Sequence, residues 1–229
     1  MIDIHTHILP NIDDGSKSIE SSLNMLKQSI DQGVTDIIMT PHYRGEYKYD
    51  KQTAIDYFEN FKAKVKEKGL AVNLYLGQEI FIEPDYKRQF KNGKFLTIAS
   101  TKYVMIEFDY SAYVDAPEIV YEIIRFGYKP IIAHVERYDC MDLKDVVEIK
   151  ELGGFIQINA SSIVEMKMGK IHRKAKILLR CGLVDFVASD VHENRKNNLQ
   201  KASKYVEKKF GKYIKDKLFL KNAKKIIEG

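Results

Sequence analysis

The chain begins Met1-Ile2-Asp3-Ile4-His5-Thr6-His7-Ile8-Leu9-Pro10-Asn11-Ile12-Asp13-Asp14-Gly15-Ser16, and the rest is read outward from this stretch. A short apolar run leads straight into a His-x-His pair, and two adjacent acids follow before a glycine. Side chains at i and i+2 share one face of an extended segment, so His5 and His7 can reach a single ion. Taken alone, neither piece is specific. His-x-His is most often a surface or core pair, and Asp-Asp-Gly is by default a turn.

Repetition makes the pattern informative. Further short apolar runs lie at 36–39, 72–76, 103–106, 130–133, 155–158 and 185–188, several of them nearly unbroken Ile, Val, Met and Phe. Such runs suit parallel strands covered on both faces. Helical periodicities stand between them. Ile19, Leu23, Leu26 and Ile30 recur on one face, with Ser18 as the expected N-cap and Gly33 as the stop. Similar stretches end at Gly69, Gly127, Gly153 and Gly182, and a further helix starts near Leu199 with shorter ones behind it. Strand–helix alternation of this kind predicts a β/α barrel or an open parallel sheet, and periodicity does not separate the two.

Polar residues stand where each run ends. The first leads to His5 and His7, the second to Thr40-Pro41-His42, the third to Gly77-Gln78-Glu79 and the fourth to Glu107. The fifth ends in His134, Glu136 and Arg137, the sixth in Asn159, and the seventh in Asp190 and His192. In a parallel β/α architecture those ends form one rim, where sites are built. Of the six histidines only His172 falls elsewhere, in a basic helix start expected at the surface. Imidazole and carboxylate donors without a thiolate suit Mn²⁺, Fe²⁺ or Zn²⁺. There are enough for two or three ions, a number that fits phosphoryl hydrolysis, and Glu79 near the middle of the rim is the expected bridge.

Composition removes several classes. The 229 residues carry 37 Lys+Arg against 32 Asp+Glu and are 45% hydrophobic, an ordinary globular balance. No apolar run approaches the roughly 18 residues of a membrane span, and the first residues lack a signal-peptide pattern. Two cysteines make no disulfide framework, so a soluble, cytoplasmic protein without membrane insertion is expected. The positive excess is local: ten lysines face three acids over 201–229, within basic helices expected at 199–229. A nucleic-acid groove is therefore not indicated. A Cys-x5-Arg thiol-phosphatase loop would need arginine at 146 or 187, and both are valine. No Gly-x-Gly or P-loop pattern occurs either.

The motifs His5–Pro10, Asp13-Asp14-Gly15, Thr40–His42, Gly77–Glu79, Ala133–Tyr138 and Ala188–His192 together resemble the polymerase-and-histidinol-phosphatase (PHP) superfamily. In detail they resemble its manganese-dependent bacterial protein-tyrosine phosphatases of capsular and exopolysaccharide synthesis. The likeness runs through nearly the whole chain, 1–229, as a single domain. It implies an α/β fold, a distorted TIM-like (β/α)7 barrel, with three divalent ions, Mn²⁺ or else Fe or Zn. It further implies His5, His7, Glu79 and Asp190 on one ion, Glu79, Glu107 and His134 on a second, and Asp14, His42 and His192 on the third. Asp13 competes with Asp14 for its place. Arg137 resembles the phosphate-gripping arginine of the family; the alternative for it is a surface salt bridge with Glu136. Glu193 departs from the small polar residues common at that position and is expected to affect substrate approach.

The chemistry expected is direct attack of a metal-activated hydroxide on phosphorus, without a phosphoenzyme, with His42 or His192 as candidates to protonate the leaving phenolate. Tyrosine-rich segments at 43–50 and 108–115 follow rim positions, and Tyr43 and Tyr47 are candidates to stack on a phosphotyrosyl ring. The resemblance implies that the partner is the phosphotyrosine tail of a bacterial tyrosine autokinase at the inner face of the membrane. The C-terminal lysines would suit steering toward that anionic tail. The competing readings are a small-molecule phosphomonoesterase of the histidinol-phosphatase type, a metal-dependent nuclease and a non-catalytic metal-binding module that docks on a kinase.

Overall fold

The computed structural model describes residues 1–110, 112–166 and 169–228. Ser111 of the 108–115 segment and residue 229 of the expected C-terminal helices lie outside them. In chain order the elements are β1 (Ile2–Thr6), α1 (Ile19–Asp31), β2 (Asp36–Met39), β3 (His42–Tyr43), α2 (Lys51–Glu67), β4 (Asn73–Leu76), β5 (Glu79–Phe81), α3 (Tyr86–Asn92) and β6 (Tyr103–Glu107). Then come α4 (Ala116–Arg125), β7 (Lys129–Ile132), α5 (Leu143–Leu152), β8 (Phe155–Asn159), α6 (Ala160–Val164), α7 (Lys170–Arg180), β9 (Phe186–Ala188), α8 (Leu199–Asp216) and α9 (Asn222–Glu228).

The second and third runs form β2 and β4, and each is followed by a further short strand that the sequence reading did not include. β3 follows β2 after Thr40-Pro41, where proline has no N–H for the ladder. β5 follows β4 after Gly77-Gln78. A side chain at Gly77 would collide with Ile98, whose Cδ1 lies 2.6 Å and whose Cα lies 3.1 Å from the place of a Cβ. Pairing continues across both breaks: Gly77 N donates to Met39 O and Glu79 N to Pro41 O.

All strand pairs are parallel, in the orders β1-β2-β4 and β3-β5-β6-β7-β8-β9. The ends of this series meet. Thr6 bridges Val191, Asp190 N donates to His5 O at 2.9 Å, and His7 N donates to Val191 O at 3.0 Å. The sheet therefore curls into a closed barrel, which settles the choice that periodicity left open.

Ile2, Ile4, Ile38, Met105, Ile131 and Phe186 pack in one cluster with Ala223 and Ile226 of α9. These are side chains from the lower parts of the strands, so α9 closes the end of the barrel opposite the strand termini. The other cluster joins the outer strand faces to the helices through residues such as Ile37, Val104, Ile132, Leu26, Phe61, Val120 and Val146. Burying each such side chain contributes about 1.5–3 kcal/mol. Helix ends follow local chemistry: Ser18 Oγ accepts from Ser21 N, and Gly33 and Gly153 take φ of +85° and +100° beyond α1 and at the end of α5. The basic C-terminal segment is interrupted at Gly211 (φ +85°) and winds wider over 217–221 before α9.

Candidate metal centre

The rim collects its polar side chains from every part of the chain. On β1 an extra residue falls between the pairs Asp3↔Ile37 and Thr6↔Met39. This bulge shifts the alternation, so Ile2 and Ile4 pack in the interior below while His5 and His7 both face the centre. His42 opens β3 and Glu79 opens β5, and the two are register partners. Glu107 closes β6. His134 and Asp190 follow β7 and β9 with φ of +34° and +50°, left-handed values that non-glycine residues seldom adopt and that cost about 1–3 kcal/mol each. Both strained residues point at the cluster.

Glu79 lies at the middle. Its Oε1 is 2.8 Å from His134 Nε2 and 3.3 Å from His5 Nε2, while its Oε2 is 2.8 Å from His42 Nδ1 and 3.5 Å from His7 Nε2. Asp190 Oδ1 is 3.8 Å from His5 Nε2 and 3.6 Å from His7 Nε2. Asp14 Oδ1 is 3.4 Å from His42 Nε2 and 3.5 Å from His192 Nε2. Glu107 Oε1 is 3.6 Å from His134 Nε2. Four overlapping sets hold donor atoms close enough for one cation: His7, Asp14, His42 and His192; His5, His7 and Asp190; His5, Glu79 and His134; His42, Glu79 and Glu107. All nine residues singled out as ligands in the sequence are thus brought together. The sets differ in detail from those of the resemblance: His7 also joins the Asp14 group, and His42 also joins Glu79 and Glu107.

The adjacent acids divide their tasks. Asp13 is buried and accepts from His7 Nδ1 at 2.7 Å, from His42 N at 3.0 Å and from Gly15 N at 2.9 Å. Asp14 is the acid that faces His42 and His192, with its side chain 40% exposed. Asp13 therefore orients a ring, and Asp14 stands in a ligand set.

Below the cluster, β8 contributes two amides. The His134 N–H donates to Gln157 Oε1 at 2.9 Å, which fixes the orientation of that amide because a backbone N–H only donates. The same oxygen lies 3.2 Å from His5 Nδ1, so Nδ1 carries the proton and Nε2 keeps its lone pair for the centre. Gln157 Nε2 then donates to Asn159 Oδ1, and Asn159 Nδ2 donates to Asp190 Oδ2 at 2.7 Å. One backbone donor thereby orients side chains from β1, β8 and the turn after β9.

Charge inside this cluster is poorly balanced. Burial raises Glu107 to about 7, with the charge of Glu79 adding to the effect. Burial pushes His134 down to about 4 and keeps its ring neutral. Burial also opposes charge on His42, but Glu79 and Asp14 together outweigh it and bring His42 to about 9. For Glu79 itself burial disfavours ionisation, yet His5 and His42 hold it well below the usual carboxylate range. His42 Nδ1 and Glu79 Oε2 are buried and, despite their 2.8 Å separation, make no hydrogen bond. Buried imidazole and carboxylate groups that converge with this pair left unbonded fit divalent cations.

Several expectations are corrected. Tyr43 is not a rim aromatic: it is buried and packs edge-on against Phe95. Tyr47 does stack beside His42, with centroids 6.3 Å apart. His172 is buried rather than at the surface, its Nδ1 donating to Ser162 O at 2.9 Å and so tying α7 to α6. Arg137 pairs with Asp190 Oδ2 at 3.3 Å and donates to the Tyr110 hydroxyl at 3.4 Å. Glu136 turns inward, accepting from Asn159 N and Ser162 Oγ, so the surface salt bridge with Arg137 does not form. Glu193 accepts from Lys17 N and joins two rim loops. The sequence reading missed Gln157, Arg44 and Arg195, although Gln157 and Arg44 each stand two residues from a rim position on an extended segment. Arg195 Nη1 lies 3.1 Å from Asp190 Oδ2, beside a cavity of about 440 Å³ that Arg137, Ser161 and Ser189 also line. Among the described residues no helix is long and apolar enough to cross a membrane.

Comparison with known proteins places this centre in context. The family profile described as capsular polysaccharide synthesis, CpsB/CapC, matches residues 1–228. The tyrosine-protein phosphatase CpsB of Streptococcus agalactiae is 31% identical over 239 residues, covering 100% of this chain and 98% of the relative. A solved structure from work on YwqE of Bacillus subtilis and CpsB of Streptococcus pneumoniae, described as unique metal-dependent tyrosine phosphatases, superposes with a TM-score of 0.92. It is 29% identical and covers 100% of this chain and 94% of its own. The phosphotriesterase homology protein of Escherichia coli, at 12% identity and a TM-score of 0.61, covers 98% of this chain and 97% of its own and shares the fold alone.

Proposed function

The chain belongs to the CpsB/CapC family of capsular polysaccharide synthesis, and from that premise we propose that it is a metal-dependent tyrosine-protein phosphatase. The observation that carries this reading is the position of Glu79. Its two oxygens face different pairs of histidines, as a carboxylate bridging two cations requires. His5, His7, Asp14, His42, Glu79, Glu107, His134, Asp190 and His192 would together hold three ions. Manganese suits the donor set, which contains no thiolate. When bound, such ions neutralise phosphoryl oxygens and acidify water near neutral pH.

The chain's own groups supply the rest. Arg137, braced by Asp190 and Tyr110, presents a planar fork suited to a phosphoryl group. Asp13 and Gln157 hold His7 and His5 in fixed tautomers. His42 and His192 flank Asp14 at the open side, where a leaving phenolate would take its proton. The substrate we assign is the phosphotyrosine tail of a tyrosine autokinase, dephosphorylated from the cytoplasmic side.

The test is hydrolysis of a phosphotyrosyl peptide with added Mn²⁺, with chelator, and by the His134→Ala variant in parallel. Activity that vanishes on chelation and is absent in the variant is expected. A panel with histidinol phosphate and sugar phosphates should show the tyrosyl peptide as the preferred substrate. Preference for a small phosphomonoester, or no metal-dependent turnover at all, would overturn the assignment.

A further inference from the structure

Arg44 lies two residues beyond His42 and stands over the mouth of the centre with its side chain 34% exposed. Its Nη1 is 3.3 Å from Glu107 Oε2 and its Nη2 is 3.6 Å from Asp14 Oδ2. These two acids belong to different ligand sets, so the guanidinium spans the gap between two places that suit a cation. Arg137 stands at Asp190, an acid of a third set. Both carboxylates that Arg44 touches are also claimed as metal ligands, and Arg44 makes no other ion pair among the described residues.

We infer that Arg44 is a second phosphate-gripping arginine, facing the phosphoryl group from another side than Arg137, and that it competes with cations for Asp14 and Glu107. Without ions, its positive charge offsets the two acids. With those acids committed to cations, Arg44 is left with a planar donor fork at the open side, where a tetrahedral dianion must enter. The inference rests on the phosphatase reading for the identity of the anion, whereas the competition with cations does not depend on it.

Two effects of opposite sign follow. Arg44→Ala should bind Mn²⁺ several-fold more tightly, measured by competition with a chelator. The same variant, loaded with Mn²⁺, should bind inorganic phosphate about ten-fold or more weakly by calorimetry, the range expected for losing a charge-assisted contact. Arg44→Lys keeps the charge but not the fork, so it should leave Mn²⁺ affinity near that of the parent and weaken phosphate binding partly. It also carries the measurement if the alanine variant melts early. Phosphate affinity within twofold of the parent in both variants, or weaker Mn²⁺ binding in Arg44→Ala, would overturn the inference. Turnover of p-nitrophenyl phosphate by the parent protein is measured separately. Its absence would count against the phosphatase reading while the calorimetry still decides the role of Arg44.

Discussion

Gln157 shows how much a single buried residue can set. It is fully buried, and its orientation follows from one backbone N–H. Gln157→Leu should leave the barrel folded but lower Mn²⁺ affinity by about 10–100-fold, as losing an outer hydrogen bond to a ligand typically does. Chelator competition would read this, and an unchanged affinity would remove the residue from the centre's design. Protons compete with metal at the same scale. Glu107, at about 7, and His42, at about 9, must both shed a proton to become ligands, whereas His134, at about 4, is already neutral. Metal affinity should therefore rise as pH increases from 6 to 9, by about tenfold per unit for each proton displaced. Calorimetry in buffers of different ionisation heat should show proton release; an affinity flat over that range would refute the linkage.

Elements deliver these residues, and their breaks matter as much as their regularity. The seven apolar runs and the glycine stops were readable in the sequence because period and composition are local properties. The interruption at Thr40-Pro41 is also local, since proline lacks an N–H, whereas the one at Gly77-Gln78 depends on what packs across the strand. Gly77 is the clearest case, because Ile98 lies over it from a segment far along the chain. Gly77→Ala should cost about 1–3 kcal/mol in urea unfolding, because part of the contact is backbone and cannot rotate away. A neutral effect would mean that the 95–100 segment shifts freely. The short β3 and β5 escaped detection for a related reason: two or three residues show no period. Yet β3 and β5 place His42 opposite Glu79.

For the molecule as a whole, the seam of the barrel coincides with the candidate metal centre. Main-chain bonds from Asp190 to His5 and from His7 to Val191 close the ring, and three of those four residues stand in ligand sets. Ions bound there would join the first strand to the last. Because the unfolded chain lacks the assembled site, ions at a hundredfold excess over Kd should add about 2.7 kcal/mol of stability per site. Chelation should lower the melting temperature and speed hydrogen exchange at the His7 and Asp190 amides more than at Val104, on the far side of the sheet from the seam. Uniform exchange would show that closure does not depend on metal. The ten C-terminal lysines are placed by the same architecture. Those of α9 lie toward the end of the barrel opposite the mouth, whereas Arg44, Arg137 and Arg195 each pair with an acid of a candidate ligand set.

Residue type and spacing alone fixed the alternating α/β plan, the rim, and the donors that gather there, because apolar period and ligand chemistry are written in adjacent residues. Tertiary structure alone decided that the sheet closes, that Asp14 rather than Asp13 enters a ligand set, that Tyr43 and His172 are buried, and that Gln157 and Arg44 reach the centre. Each of these depends on which distant segment supplies the neighbour, and a chain's local pattern does not encode the direction in which a side chain meets its partner.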